Sequence, residues 1–251
     1  NGQKNVTFTK KNVSIGISMP NQKNFSSIQN VNGRVVSREK LYDVVIESID
    51  GGIRYILHIN SPKAEKSYDF KMDLPTGYRL TQDKEGNVNI LDASGKTYAG
   101  IAKPWAKDAN DKDIKTWYMI KGSTLTQYVD FDKKTVFPVV ADPIWCGQTI
   151  ASTSWIYRTG THPWSLSIEP TACGKWSGVY SPAGYWQDLL DKTPVSVHWD
   201  KKYGNSIYWS MYDQLFCHVD FAAGFKSPWN LEPTRPNVGY NATVSALCNP
   251  N

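Results

Sequence analysis

All four cysteines of this chain and eight of its ten tryptophans lie after Pro143. Residues 1–143 hold 21 Lys and Arg against 16 Asp and Glu, whereas residues 144–251 hold 7 of each sign. A chain of 251 residues is long enough for two domains of ordinary size. We therefore predict a lysine-rich domain at 1–143 and a tryptophan-rich domain at 144–251, the second carrying the functional site.

The first domain is predicted to be all β, either a sandwich or a barrel. Alternating or β-rich runs are separated by turn signals such as Asp50-Gly51-Gly52 and Ser94-Gly95-Lys96. Short strands with regular turns are typical of these two architectures. The predicted strands are 13–18, 42–49, 53–59, 67–72, 88–91, 117–120, 125–131 and 135–140.

The second domain is predicted to be α+β. Ser181 is placed to cap a short helix over 182–191, which has proline at its first position. Apolar and polar residues alternate over 195–199, a pattern that predicts a strand. Ser210 is placed to cap a second helix that would run to Ala223.

The cysteines are Cys146, Cys173, Cys217 and Cys248. An even number favours two disulfides and an oxidising compartment, although four cysteines allow three pairings. A zinc site is the alternative, but the chain has no CxxC pair. The chain also begins without Met, as a mature protein does after removal of a signal peptide, with artificial shortening as the alternative. We therefore predict a secreted, extracellular protein.

Several partner classes are not predicted. The lysines of the first domain are scattered rather than clustered with aromatic residues, which argues against nucleic acid and leaves weak attraction to an anionic cell wall as a possibility. No apolar run approaches the roughly 18 residues of a transmembrane segment. The zinc-hydrolase motif HExxH and the phosphate-binding Walker loop are absent, so neither a metal nor a cofactor is predicted.

Three segments of the first domain resemble a known region of other proteins. They are Tyr68-Asp69-Phe70 with LPTGY at 74–78, IAKPWA at 101–106, and FPVVADP at 137–143. This set resembles an N-terminal region of secreted Gram-positive proteins, in which the PVVADP element closes one domain ahead of a variable second domain. The resemblance implies an extracellular accessory or folding domain and supplies no catalytic residues.

The second domain carries its own resemblance. EPTA at 169–172, MYDQLFCH at 211–218, KSPWNLEPTRPNVGY at 226–240 and CNP at 248–250 occur in order. They resemble an uncharacterised C-terminal domain family, of unknown function, found in secreted bacterial proteins. The resemblance implies that Cys217 pairs with Cys248, which leaves Cys146 to pair with Cys173.

Carboxylates are the first candidates for chemistry, because the second domain has only seven of them. Glycoside hydrolysis requires two carboxyl groups beside the scissile bond. Glu232 is the candidate acid, with Asp213 or Asp220 as its partner. The alternative for Glu232 is an ion pair with Arg235 that braces a proline-bearing loop.

Histidines are the second candidates. His198 with Asp200, and His218 with Asp220, could meet in space and form a metal site or an oriented general base. The alternative is that both histidines are partly buried and satisfied by local hydrogen bonds.

Aromatic residues are the third candidates, since they are unusually frequent in the second domain. Most are expected in the core, and a subset is expected to line a ligand surface. The candidate binding residues are Trp209, Tyr212, Trp229, Arg235, His198 and His218. These features favour an extracellular module that binds a cell-envelope polysaccharide or a protein partner. The alternatives are a secreted glycoside hydrolase and a secreted antibacterial toxin.

Overall fold

A computed structural model describes residues 5–21, 28–175 and 182–251. The chain divides into two compact units, Asn1–Gly147 and Gln148–Asn251. The division follows Gly147 rather than Pro143, because Ile144–Cys146 pairs with strands of the first unit. The first unit is built of strands and the second of strands and helices, so the predicted fold class is confirmed.

The described residues of the first unit form fifteen strands. They are β1 (Asn5–Lys10), β2 (Val13–Ser18), β3 (Ile28–Val31), β4 (Arg34–Arg38), β5 (Tyr42–Ile49), β6 (Gly52–Ile59), β7 (Ser67–Asp73), β8 (Arg79–Gln82), β9 (Val88–Leu91), β10 (Thr97–Ile101), β11 (Trp105–Lys107), β12 (Thr116–Lys121), β13 (Thr124–Val129), β14 (Val139–Asp142) and β15 (Ile144–Cys146).

These strands make two antiparallel sheets. The first has the order β1-β2-β7-β13-β12. The second has the order β3-β4-β5-β6-β15-β10-β9-β8, and β14 pairs with both β6 and β11 beside that path. Sequential strands are mostly neighbours, as expected for short turns between antiparallel strands.

The two sheets share one hydrophobic core, as in a β-sandwich. Every second residue of β6 is buried, and β7 buries Tyr68, Phe70 and Met72 in the same alternation. Phe70 of β7 contacts Tyr55 of β6 and Trp145 of β15, with ring centroids 5.5 and 5.1 Å apart. These rings join the inner faces of the two sheets.

A buried ion pair links β14 to β6 in the second sheet. Arg54 Nε lies 2.6 Å from Asp142 Oδ2, and Arg54 also lies 3.6 Å from Glu47 on β5. The Asp142 side chain has no exposed surface. Burial raises the pKa of Asp142 to about 6, against the opposing effect of the Arg54 guanidinium. Because this pKa lies above the ordinary 3.8, the folded protein binds a proton more tightly here than the unfolded chain does.

We expect Asp142→Asn to remove a pH-dependent loss of stability. In the wild type, the free energy of unfolding should fall as pH rises from about 4 to about 6, because the buried carboxylate must ionise, and should level off above that range. The shift of roughly two pKa units corresponds to about 3 kcal/mol. Urea unfolding of both proteins between pH 4 and 7 measures the difference. The exposed Asp130→Asn is the control, and parallel pH profiles for wild type and Asp142→Asn would contradict the assignment.

The described residues of the second unit form a three-stranded antiparallel sheet and three helices. The sheet has the order β16-β17-β18, where β16 is Ile150–Tyr157, β17 is Trp164–Pro170 and β18 is Trp229–Leu231. The helices are α1 (Pro182–Lys192), α2 (Ser206–Phe221) and α3 (Tyr240–Ser245). Helix α1 packs on β16, and α2 packs on β18 and α3.

Helix α1 confirms the predicted helix at 182–191, while its predicted cap, Ser181, lies outside the described residues. Helix α2 begins five residues earlier than predicted. Asn205 is its cap, and Asn205 Oδ1 accepts a hydrogen bond from the Tyr208 amide at 2.7 Å. Ser210 instead lies inside the helix, and its hydroxyl donates to the Arg235 carbonyl at 3.0 Å.

The predicted strand at 195–199 is wrong. Ser196 and Trp199 exchange backbone hydrogen bonds across a tight turn. Trp199 is buried, but Val195 is 68% exposed and Val197 is 98% exposed. The alternation of apolar residues therefore does not reflect one buried face of a strand.

All four cysteines form disulfides, Cys146 with Cys173 and Cys217 with Cys248. This confirms both implied pairings. The second bridge joins α2 to the residues after α3, with 5.4 Å between the Cα atoms and a sequence separation of 31 residues. Disulfides fit a protein of an oxidising compartment. Within the described residues, no helix combines the length and the apolar character that crossing a bilayer requires.

Candidate functional site

The buried face of helix α2 packs along one edge of β18 and forms hydrogen bonds with its backbone. Strand β18 has a strand neighbour, β17, on one side only. On the other side, the buried Gln214 side chain accepts from the Glu232 amide at 2.9 Å and donates to the Glu232 carbonyl at 3.1 Å. One turn later, His218 Nε2 lies 3.2 Å from the Asn230 carbonyl oxygen. The helix therefore satisfies backbone groups of the strand that would otherwise be buried without partners.

The opposite face of α2 is partly open to solvent. Since successive helical residues are about 100° apart, residues spaced by four, three and four lie on one face. Trp209, Asp213, Phe216 and Asp220 have this spacing, and Tyr212 flanks them. Asp220 is exposed, and Trp209, Tyr212 and Asp213 are half-buried. We call this set the outward face of α2.

Four rings form a continuous aromatic row along this face: Tyr203, Trp209, Tyr212 and Phe216. The ring centroids are 5.8 Å apart for the first pair, 5.7 Å for the second and 4.5 Å for the third. Tyr203 precedes the helix and is 75% exposed. The row therefore runs from an exposed ring at the start of the helix to a buried ring in its third turn.

Helix α1 supports the row from behind. The buried Trp186 contacts the Tyr212 ring edge-to-face at 5.2 Å and the Tyr208 ring at 4.9 Å. Its indole N–H also donates to the Tyr208 hydroxyl. Edge-to-face contacts of this kind fix ring orientation in addition to burying area. The rings of the row are thus held in place before any ligand arrives.

Two carboxylates lie among these rings. Burial raises the pKa of Asp213 above its ordinary value. Burial and then the nearby Asp213 charge raise the pKa of Tyr212. Asp220 accepts a hydrogen bond from the Tyr240 hydroxyl, and burial together with this bond raises the pKa of Tyr240. Both carboxylates are accessible enough to meet a ligand.

Glu232 occupies a different, buried environment. Its Oε2 atom lies 2.7 Å from Arg235 Nε, and its Oε1 atom accepts from the Ser165 hydroxyl at 2.8 Å. Arg235 also donates to the Pro250 carbonyl at 3.0 Å. Both carboxylate oxygens are therefore occupied, and the geometry matches the predicted alternative of an ion pair that braces the loop after β18.

The structure does not bring Glu232 together with Asp213 or Asp220. The backbone of Glu232 is bound by Gln214, which lies about 100° around the helix from Asp213 and about 120° from Asp220. Asp213 and Asp220 are themselves two helical turns apart, about 10 Å along the axis. Glu232 therefore forms no close carboxylate pair with Asp213 or Asp220, as a retaining glycosidase would require.

The two histidines lie in separate places. His198 is stacked on Trp164, with ring centroids 4.0 Å apart, and also contacts Trp155 at 5.2 Å. His218 is buried against Trp229, and burial lowers the pKa of its imidazole. Because a carbonyl oxygen can only accept, His218 Nε2 carries the hydrogen toward Asn230. In the described ranges, no group of three or more His, Cys, Asp or Glu residues could hold a metal ion.

Of the predicted binding residues, Trp209 and Tyr212 lie in the aromatic row. Trp229 has no exposed surface, and its indole N–H donates to the Lys226 carbonyl at 2.9 Å. Arg235 is used by Glu232 and the end of the chain. Tyr203 and Phe216 are further members of the row. The spacing of Phe216 from Trp209 and Tyr212 could have indicated it, but Tyr203 lies before the helix, where no periodicity applies.

Residues 150–251 match a family described as a protein of unknown function, DUF2599. The match covers the helices and the three-stranded sheet of the second unit and agrees with the resemblance found there. It does not extend to the first unit, where the PVVADP resemblance stays an expectation. No curated protein and no solved structure matches the chain.

We expect Glu232→Gln to destabilise the protein by about 3 kcal/mol, because it leaves a buried guanidinium without its counter-charge. Glu169→Gln is the matched control. Glu169 lies 3.9 Å from Lys175, with 45% of its side chain exposed, and its loss should cost well under about 1 kcal/mol. Urea unfolding measures both values. Equal stability of the two variants would contradict the bracing role of Glu232.

Proposed function

We propose that the second unit is a non-catalytic extracellular module that binds a cell-envelope glycan through the aromatic row on α2. The observation that carries this proposal is the partial exposure of a row of rings that contact one another. Tyr203, Trp209 and Tyr212 each retain solvent-accessible surface while contacting their neighbours edge-to-face.

The physical argument is that core packing does not account for these rings. Buried aromatic residues of the unit, such as Trp186, Trp199 and Trp229, stabilise the fold because nearly all of their surface is removed from water. The Tyr203 ring is 75% exposed, so its burial contributes little to the stability of the fold. Partly exposed aromatic residues are typical of binding surfaces, and the face of a single exposed ring can stack on the flat apolar face of a pyranose ring.

The environment of the carboxylates supports binding rather than hydrolysis. Glu232 is engaged by Arg235 and Ser165, so it has no free oxygen with which to protonate a leaving group. The disulfides support an extracellular setting, where cell-envelope polymers are accessible.

We expect Tyr203→Ala and Trp209→Ala to weaken binding to purified Gram-positive cell-wall polysaccharide about tenfold each, the typical cost of truncating an aromatic anchor. Binding is measured by co-sedimentation of the full chain with the insoluble polymer. The control is Phe225→Ala, since Phe225 is 95% exposed and does not belong to the row.

Near-UV circular dichroism of each variant separates loss of binding from loss of fold. Unchanged retention of Tyr203→Ala and Trp209→Ala would exclude the row as the binding surface. New soluble oligosaccharides that disappear with Asp213→Asn or Glu232→Gln would replace the binding module with a glycoside hydrolase.

A further inference from the structure

The outward face of α2 carries negative charge that no ion pair neutralises. Asp213 lies one helical turn after Trp209, and Asp220 lies two turns beyond Asp213. In the described part of the second unit, the ion pairs involve other carboxylates, those of Glu169 and Glu232. Both aspartates of the outward face are thus available to a cationic partner.

Two basic side chains near α2 in sequence, Lys201 and Arg235, bind other groups. Lys201 Nζ donates to the carbonyls of Leu190 and Thr193, at 2.8 and 2.5 Å. Arg235 binds Glu232 and the residues that follow α3. Within the described residues, Asp213 and Asp220 therefore lie on this face without an ion-pair partner.

Aromatic rings add to the negative character of the face. The quadrupole of a tryptophan or tyrosine ring attracts a cation to the ring face, and the attraction increases when the site is partly desolvated. Asp213 is half-buried beside Trp209 and Tyr212, so its charge is less screened than that of a surface carboxylate. The ring faces and the carboxylates therefore both attract a cation.

We infer that the outward face of α2 selects a glycan bearing free, protonated amino groups, such as de-N-acetylated glucosamine. The apolar face of the sugar lies on Trp209, and its ammonium group pairs with Asp213. Asp220, about 10 Å further along the helix axis, is placed for a more distant amino group of the same polymer. This inference rests on the proposed glycan binding and further specifies that the glycan is positively charged.

Charge complementarity decides between glycan classes. An acidic polymer would bring its own anions to two unpaired carboxylates, which is unfavourable. A neutral N-acetylated polymer would stack on the rings but would desolvate Asp213 without giving it a charged partner. An amino sugar supplies both the ring surface and the counter-charge.

The test compares two oligosaccharides that differ only in charge: the hexamer of N-acetylglucosamine and its fully de-N-acetylated counterpart. Binding to the full chain is measured at about pH 6 by calorimetry, in low and in high salt. We expect the amino oligomer to bind about tenfold more tightly in low salt, and we expect high salt to reduce this preference.

Three variants assign the preference to this face. Asp213→Asn should abolish the preference by weakening the binding of the amino oligomer, and Asp220→Asn should reduce it. Trp209→Ala should weaken the binding of both oligomers. Glu169→Gln removes one negative charge from β17 and should keep the preference.

The outcomes separate the inference from the proposed function. Equal affinity for both oligomers, still sensitive to Trp209→Ala, would overturn the selection of amino sugars and keep the glycan-binding module. A preference lost equally in Glu169→Gln and Asp213→Asn would overturn the assignment to α2. Failure of both oligomers and of cell-wall polymers to bind would overturn the proposed function itself.

Discussion

The organisation of the second unit depends on how α2 completes the edge of β18. A three-residue strand with one strand neighbour leaves backbone groups along its other side, and burial makes them costly. Gln214 and His218, one helical turn apart, bind the backbone of Glu232 and Asn230, which are alternate residues of the extended segment. The helix thus takes the place of a fourth strand. The disulfide from Cys217 fixes the same stretch of helix to the end of the chain.

This arrangement determines which side chains remain available for function. The face of α2 that meets β18 uses the polar groups of Gln214 and His218 for backbone hydrogen bonds, which gives both side chains a structural role. Burial also lowers the pKa of His218, which keeps it neutral and suited to this structural bond. Only the outward face, with Trp209, Tyr212 and Asp213, can meet a ligand while the helix stays in place. The fold therefore separates the face of α2 that binds the strand backbone from a face that is partly open to solvent.

Much of the fold could be predicted from the sequence, because strands with one buried face alternate visibly. The strand Tyr42–Ile49 was predicted to the residue. The short strand Trp105–Lys107 was not predicted, because its pairing partner, Val139–Asp142, is distant in sequence. The strand Ile28–Val31 was not predicted either, because all four of its residues are exposed and so show no alternation of buried positions. For the site, Trp209 and Trp229 look alike in sequence, yet one is half-exposed and the other fully buried. Exposure is set by tertiary packing, and composition does not encode it.

The two units are stabilised by different means, and the difference bears on function. The first unit encloses a large core between two sheets and contains only one of the cysteines, at its end, so burial supplies most of its stability. The second unit is smaller, and it combines disulfides with large aromatic side chains, as small domains must. Such a domain gains the most folding stability when its aromatic rings are buried. Tyr203 is 75% exposed and Trp209 is half-exposed, so these rings are not placed where they stabilise the fold most. Their position suits the binding surface that we propose on α2.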